Sequence, residues 1–301
     1  MNLLVIAGTQ LRHRYFLSLI DKYFKIKGIV YYKRKLIQET TNHKKTIDPI
    51  DIELEKKHFK NLSNKEKEYF SKAVKSFNDS SIPQLIVSGQ NQLNHYKTID
   101  WVKSKNADVI IDYGSGILSK KFLDICPEWT INLHGGLSPY YKGSATLFWP
   151  FYFQQPELAG ITYHMIDSKI DHGSIIQHFR PIIKLSDTLH DIGCRAIKDG
   201  TLIGIKLLKK LQQKGSLDLY PQNMTGKLFL EKDYRPSHIK TVYDLWENGL
   251  IKKYLKNKKY YDEPDPLKKA QGAEVEILLN NGEKIVDQLE LCMSKCSPTN
   301  L

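Results

Sequence analysis

Cysteine is scarce, and what there is does not form a framework. Cys126, Cys194, Cys292 and Cys296 are four thiols in 301 residues, too few for the dense disulfides that hold small secreted domains together. Cys292 and Cys296 have no second pair to complete a four-ligand zinc site, so no metal is expected. Long apolar runs are missing too. The opening stretch MNLLVIAGTQLRHRYF has no basic leader ahead of its apolar residues. That apolar run is too short for a signal segment or a membrane span. The expectation is a cytoplasmic protein with no membrane partner. No internal repeat and no extended low-complexity tract occurs, which sets solenoids and disordered linkers aside. Acidic residues are in deficit, 33 against 45 basic, for a net charge of +12. A lysine-rich solvated surface accounts for such an excess, while nucleic acid or phosphorylated small molecules would also suit it. The excess is spread along the whole chain, so no single basic arm stands out.

What is present reads as an α/β chain. NLLVIA (2–7) is a buried strand that runs into Gly8-Thr9, and the apolar spacing from Leu11 to Phe24 is helical. IKGIVYY, QLIVSG (84–89), ADVIIDYG (107–114) and WTINLH (129–134) are four further strands, separated by helical stretches. Residues 34–80 are polar and lysine-rich and read as a helical insertion rather than core. Residues 160–182 read as two strands joined by a tight polar loop. A strongly amphipathic helix over 186–213 follows, with Ser186 as its expected N-cap. Strands alternating with helices predict a Rossmann-like, mostly parallel sheet flanked by helices. The expected division is a catalytic domain over 1–214 and a small C-terminal α+β subdomain over 215–301, with a hairpin turning at Asn281-Gly282. Ligands of such sheets bind beyond the carboxyl ends of the strands, where Gly8, Gly114 and His134 are expected to converge.

The stretch INLHGGLSPYYKG (131–143) is the least ordinary part of the chain. Asn132 and His134 are two residues apart on a strand and therefore share a face. Downstream, His164 stands seven residues before Asp171, and Gly173 follows. A carboxylate on a tight loop can orient or charge an imidazole, although aspartate also forms turns for purely local reasons.

Taken together, these elements resemble the folate-dependent formyltransferases, which include the methionyl-tRNA, glycinamide ribonucleotide and sugar-nucleotide N-formyltransferases. The resemblance rests on Asn132-Leu133-His134, Pro139, Gly143, Gly160-Ile161-Thr162-Tyr163-His164 and Asp171-His172-Gly173, in that order and spacing, and covers about 1–210. It implies a catalytic trio of Asn132, His134 and Asp171, with His164 as a structural support for the Asp171 loop. It also implies 10-formyltetrahydrofolate as co-substrate, held by Tyr113, Gly114, Gly116, Ile117 and Leu118, by Leu137, Ser138 and Pro139, and by Ile166 and Asp167. In the loop GGLSP, Gly136 and Ser138 depart from the family's usual Ser-Leu-Leu-Pro.

For the acceptor amine, Thr9 and Arg12 at the start of the first helix suit a phosphate. Tyr141 suits a base or sugar, and Phe148 and Trp149 suit the core slightly better. The first expectation is a nucleotide-linked amino sugar, a small-molecule partner. Charged initiator tRNA is the alternative, nucleic acid is otherwise not expected, and a homodimer is left open.

Overall fold

The computed structural model describes residues 1–34, 49–223 and 226–258. Its strands are Asn2–Gly8 (β1), Lys25–Lys33 (β2), Gln84–Ser88 (β3), Val109–Tyr113 (β4), Trp129–His134 (β5), Tyr141–Gly143 (β6), Ile161–Met165 (β7), Ile175–Phe179 (β8) and Lys227–Phe229 (β9). Seven of them form one sheet in the order β3-β2-β1-β4-β5-β7-β8. β1 to β5 are parallel, and β7 runs antiparallel to both β5 and β8. The helices are Leu11–Ile20 (α1), Pro49–Val74 (α2), Gly89–Leu93 (α3), Tyr96–Lys103 (α4), Lys120–Leu123 (α5), Trp149–Tyr152 (α6), Leu189–Lys214 (α7), Pro236–Glu247 (α8) and Leu250–Lys256 (α9).

The unbroken apolar character of β1 follows from burial on both faces. Leu3, Val5 and Ala7 join the core beneath α1 and α7, while Leu4 and Ile6 join the core on the opposite face with Val102 and Phe122. The chain winds outward from β1 through β2 to β3 and then returns to β4 on the other side of β1. The topological switch, where such sheets open a crevice, therefore lies between β1 and β4. Gly8 and Gly114 end these two strands, and the ring of His13 from α1 fills the gap between them. A Cβ on Gly114 would fall 2.4 Å from His13 Nε2, and one on Gly8 would fall 2.5 Å from Cε1. His13 Nδ1 accepts from the Gln10 N–H, a donor at the start of α1.

Three expectations are corrected. The stretch 34–80 is more than an inserted excursion. Its described helix α2 packs on α1, α7 and α8, Phe70 belongs to the main core, and His58 and Glu66 are buried. The polar look of α2 arises because only four of its residues are buried. The long helix begins at Leu189, after Thr188 rather than Ser186. Thr188 Oγ1 accepts from the Asp191 N–H and the Asp191 carboxylate accepts from the Thr188 N–H, a reciprocal cap. Finally, the described residues after 215 do not stand apart. β9 pairs with β6, and α8 packs on α2 and α6. The expected hairpin at Asn281-Gly282 lies outside the described residues.

The cap supplies a first measurable outcome. Thr188→Ala should cost about 1 kcal/mol of stability, read as a lower denaturation midpoint at unchanged slope. An unchanged midpoint would mean the cap is not used.

Candidate active site

β5 and β7 bring the site together through their register. Asn132 pairs with His164 and His134 with Thr162, so Asn132 and His164 are directly opposite each other. Asp171 reaches them from the β7–β8 connection with φ of 46°, a left-handed conformation that aspartate tolerates better than most residues. Its Oδ1 lies 3.3 Å from Asn132 Nδ2 and 3.4 Å from His164 Nε2. Its Oδ2 accepts from the Gly143 N–H at 2.7 Å and faces His134 Nδ1 at 3.4 Å. Gln222 Nε2 donates to the backbone carbonyls of Asp171 and Gly173 and holds the turn from behind.

The hydrogen-bond directions decide the proton positions. A carbonyl can only accept, so the ring nitrogen that meets one carries the hydrogen. His164 Nδ1 meets Met165 O at 2.7 Å. Its Nε2 is therefore free to accept from Asn132 Nδ2 at 3.0 Å. His134 Nε2 meets Tyr141 O at 2.8 Å, which leaves Nδ1 as its basic atom, turned toward Asp171. Burial pushes the Asp171 carboxyl up, but the imidazoles of His134 and His164 and the Gly143 N–H outweigh it and hold it well below the usual range. Burial lowers His134 more strongly than Asp171 raises it. The resting pair is thus a neutral imidazole beside a carboxylate, and a proton arriving at Nδ1 finds its counter-charge in place.

The trio lines a cavity of about 1090 Å³. At one end stand Tyr113, Gly114, Gly116, Ile117, Leu118, Ile166 and Asp167, seven of the residues expected to hold the folate, with Lys169 and Ile170 beside them. Gly114 has φ of +84°, which lets the backbone turn sharply off β4. Ile117 is pinned by two amide side chains that sequence reasoning missed. Gln90 Oε1 accepts its N–H at 3.0 Å, and Asn94 Nδ2 donates to its carbonyl at 2.9 Å. The signal was weak, since GQNQLN has no periodicity that marks it as functional. At the other end the cavity runs between α2 and α7, past Phe59, Leu62, Phe148, His58 and His190. Burial pushes His58 down to about 3 and His190 down to about 4, so both are uncharged at neutral pH.

Some expected contacts fall elsewhere. Leu137 and Ser138 are fully buried, and with Pro139 they stand outside the lining of the cavity. Ser138 N–H donates to Thr162 Oγ1, and Ser138 O accepts from His178 Nε2, so this loop serves the frame. Tyr141 points into the core, 1 % exposed, with its hydroxyl on Gln155 Oε1 at 2.5 Å. What it offers the site is its carbonyl, which orients His134. Thr9 and Arg12 do line the cavity, but the Arg12 guanidinium is already paired with Glu66 and with Gln10 Oε1. Among the described residues, no three His, Cys, Asp or Glu side chains converge as metal ligands, and no helix is long and apolar enough to cross a membrane.

Comparison with known proteins bears on the family and the fold. The formyl transferase family profile matches residues 27–204, more than half of the chain. A methionyl-tRNA formyltransferase of Trichormus variabilis is 33% identical over 132 residues, 44% of this chain and 38% of that protein. The bifunctional polymyxin resistance protein ArnA of Wigglesworthia glossinidia brevipalpis is 35% identical over 124 residues, 41% of this chain and 18% of that protein. The matched stretches thus span less than two fifths of these relatives' lengths. A sugar N-formyltransferase from Shewanella sp FDAARGOS_354 shares the fold, with a TM-score of 0.50 at 14% identity over 78% of each chain. By the extent of the profile match and the fold it accompanies, the chain belongs to the formyl transferase family.

Proposed function

We propose that the protein moves a formyl group from 10-formyltetrahydrofolate to a primary amine, and that the amine belongs to a nucleotide-linked amino sugar. The observation that carries the transfer is the convergence of Asn132, His134 and Asp171 at the wall of one cavity. The acceptor nitrogen attacks the formyl carbon. The carbonyl oxygen becomes an oxyanion, to which Asn132 Nδ2 can donate by exchanging its longer bond to Asp171. The attacking nitrogen gives up a proton to His134 Nδ1, where Asp171 stabilises the imidazolium. The carbon–N10 bond then breaks, the proton passes to N10, and the products are a formamide and tetrahydrofolate. Every group involved is a side chain of β5 or of the Asp171 turn.

The second arm of the cavity supports a sugar-nucleotide acceptor. Its walls include neutral imidazoles and aromatic or aliphatic side chains, which suit an uncharged ring. Lys67 and Lys232 also line it and could meet phosphates as point charges.

The test supplies 10-formyltetrahydrofolate with a panel of nucleotide-linked amino sugars and, separately, with charged initiator methionyl-tRNA. Formylation of a sugar, with affinity that falls only mildly as salt rises, is the expected result. A tRNA acceptor would engage many phosphates, and its affinity would fall steeply between low and moderate salt. Turnover on the tRNA and on none of the sugars would overturn the acceptor assignment.

A further inference from the structure

Asp112 lies inside the site, yet the transfer just described leaves it without a task. It is the last residue but one of β4, in register with Asn132 on β5, lines the same cavity and is 5 % exposed. The groups that face it are Ser115 from its own loop, His164 on β7, Asp171 on the β7–β8 turn and Tyr32 on β2. None of them is an obligatory cation that would hold a carboxylate in place.

Its hydrogen bonds contain a conflict that a proton on the carboxyl removes. Ser115 N–H donates to Asp112 Oδ1 at 3.1 Å. Ser115 Oγ meets Asp112 Oδ2 and also meets the Gly116 carbonyl at 2.9 Å. A serine hydroxyl has one hydrogen. With Asp112 ionised, that hydrogen can satisfy either the carboxylate or the Gly116 carbonyl, and the other acceptor is left facing an oxygen. With Asp112 protonated, the carboxyl donates to Ser115 Oγ and Ser115 donates to Gly116 O, so all three oxygens are satisfied in one direction.

We propose that Asp112 is a positioning residue that works as a neutral carboxylic acid, fixing the Gly114–Leu118 loop through Ser115 in the shape that receives the folate ring. The far side of this loop is already held by Gln90 and Asn94 at Ile117, and the Asp112–Ser115–Gly116 chain holds the near side. Burial pushes the Asp112 carboxyl up to about 7, the Ser115 bonds oppose this, and the charge of Asp171 adds to it. Because the acid form is the competent one, raising the pH through this range leaves the Gly116 carbonyl without its donor, and folate binding weakens. This inference rests on the formyl-transfer reading only for the identity of the ligand.

The experiment has two arms. Infrared difference titration of the ligand-free protein should show a protonated-carboxyl band that disappears near pH 7 and is absent from Asp112→Asn. Calorimetric binding of 5-formyltetrahydrofolate, a stable analogue, should weaken about tenfold from pH 6 to pH 8, as the competent fraction falls. Asp112→Asn can donate to Ser115 at every pH, so it should bind as the wild type does at pH 6, with a flat profile. A carboxyl that titrates in the ordinary acid range, or an Asn variant that keeps the wild-type pH profile, overturns the proposal. An analogue that binds at no pH while the infrared band behaves as expected removes the formyl-transfer reading and leaves the protonated chain standing.

Discussion

Asp171→Asn is expected to lower kcat on the order of a hundredfold or more, as for a lost positioned acid–base partner, while the chain still folds. The substitution separates two roles of one residue. Asparagine accepts the left-handed φ at this position as readily as aspartate, so the turn is kept. The charge is not. The carbonyl oxygen of the new side chain must stay on the Gly143 N–H, the fixed backbone donor. Its amide nitrogen then faces Asn132 Nδ2 and meets a donor with a donor. His134 Nδ1 loses the carboxylate that would stabilise its proton. Stability should move in a defined window as well. A carboxyl held below its unfolded value contributes stability that is complete above about pH 4 and drains away as the pH falls through its lower folded value. The variant should therefore lose stability at neutral pH relative to wild type and lose less on further acidification. Equal kcat in the two proteins would reduce Asp171 to a turn former.

The parts of this site that can be read from sequence are those written in one short segment. Asn132 and His134 are separated by two on a strand, and period-two geometry puts them on one face without further knowledge. The strands themselves are legible because central parallel strands are buried on both sides and read as apolar runs. The role of α2 is illegible for the opposite reason. A helix with four buried positions in 26 residues carries too little apolar pattern to show that Phe70 enters the core and that His58 and Glu66 wall the cavity. Tyr141 misleads in another way. A tyrosine just after the Asn132–His134 segment resembles a stacking platform, yet what decides its place is β6 pairing with β9, a contact formed with residues more than 80 positions downstream. His164 lies between these cases. Its number in the chain shows no proximity to Asn132, and only the antiparallel register of β5 and β7 makes the two neighbours. Asp112 is legible as the last residue but one of a strand. Its charge state is not, because that depends on burial and on a serine three residues later.

Asn132→Ala is expected to cost on the order of 10²–10³ in kcat, the usual consequence of removing an oxyanion donor, with little change in the affinity for 5-formyltetrahydrofolate. The amide stands at the junction of the trio, 3.3 Å from Asp171 Oδ1 and 3.0 Å from His164 Nε2. Its removal does more than delete one donor to the transition state. Asp171 loses a neutral hydrogen bond, and His164 Nε2 is left to turn its lone pair toward the carboxylate. Both changes raise the free energy of the Asp171 anion, so part of the lost rate comes through the carboxylate rather than the oxyanion. A double-mutant cycle with Asp171→Asn separates these contributions. If the two residues act as one unit, the double variant should be far less impaired than the product of the single losses, because either substitution alone has already dismantled the arrangement. If Asn132 serves the oxyanion independently, the losses should multiply. A kcat within a few fold of wild type for the alanine variant would remove Asn132 from the reacting group altogether and leave His134 and Asp171 as a proton-handling pair without a dedicated donor.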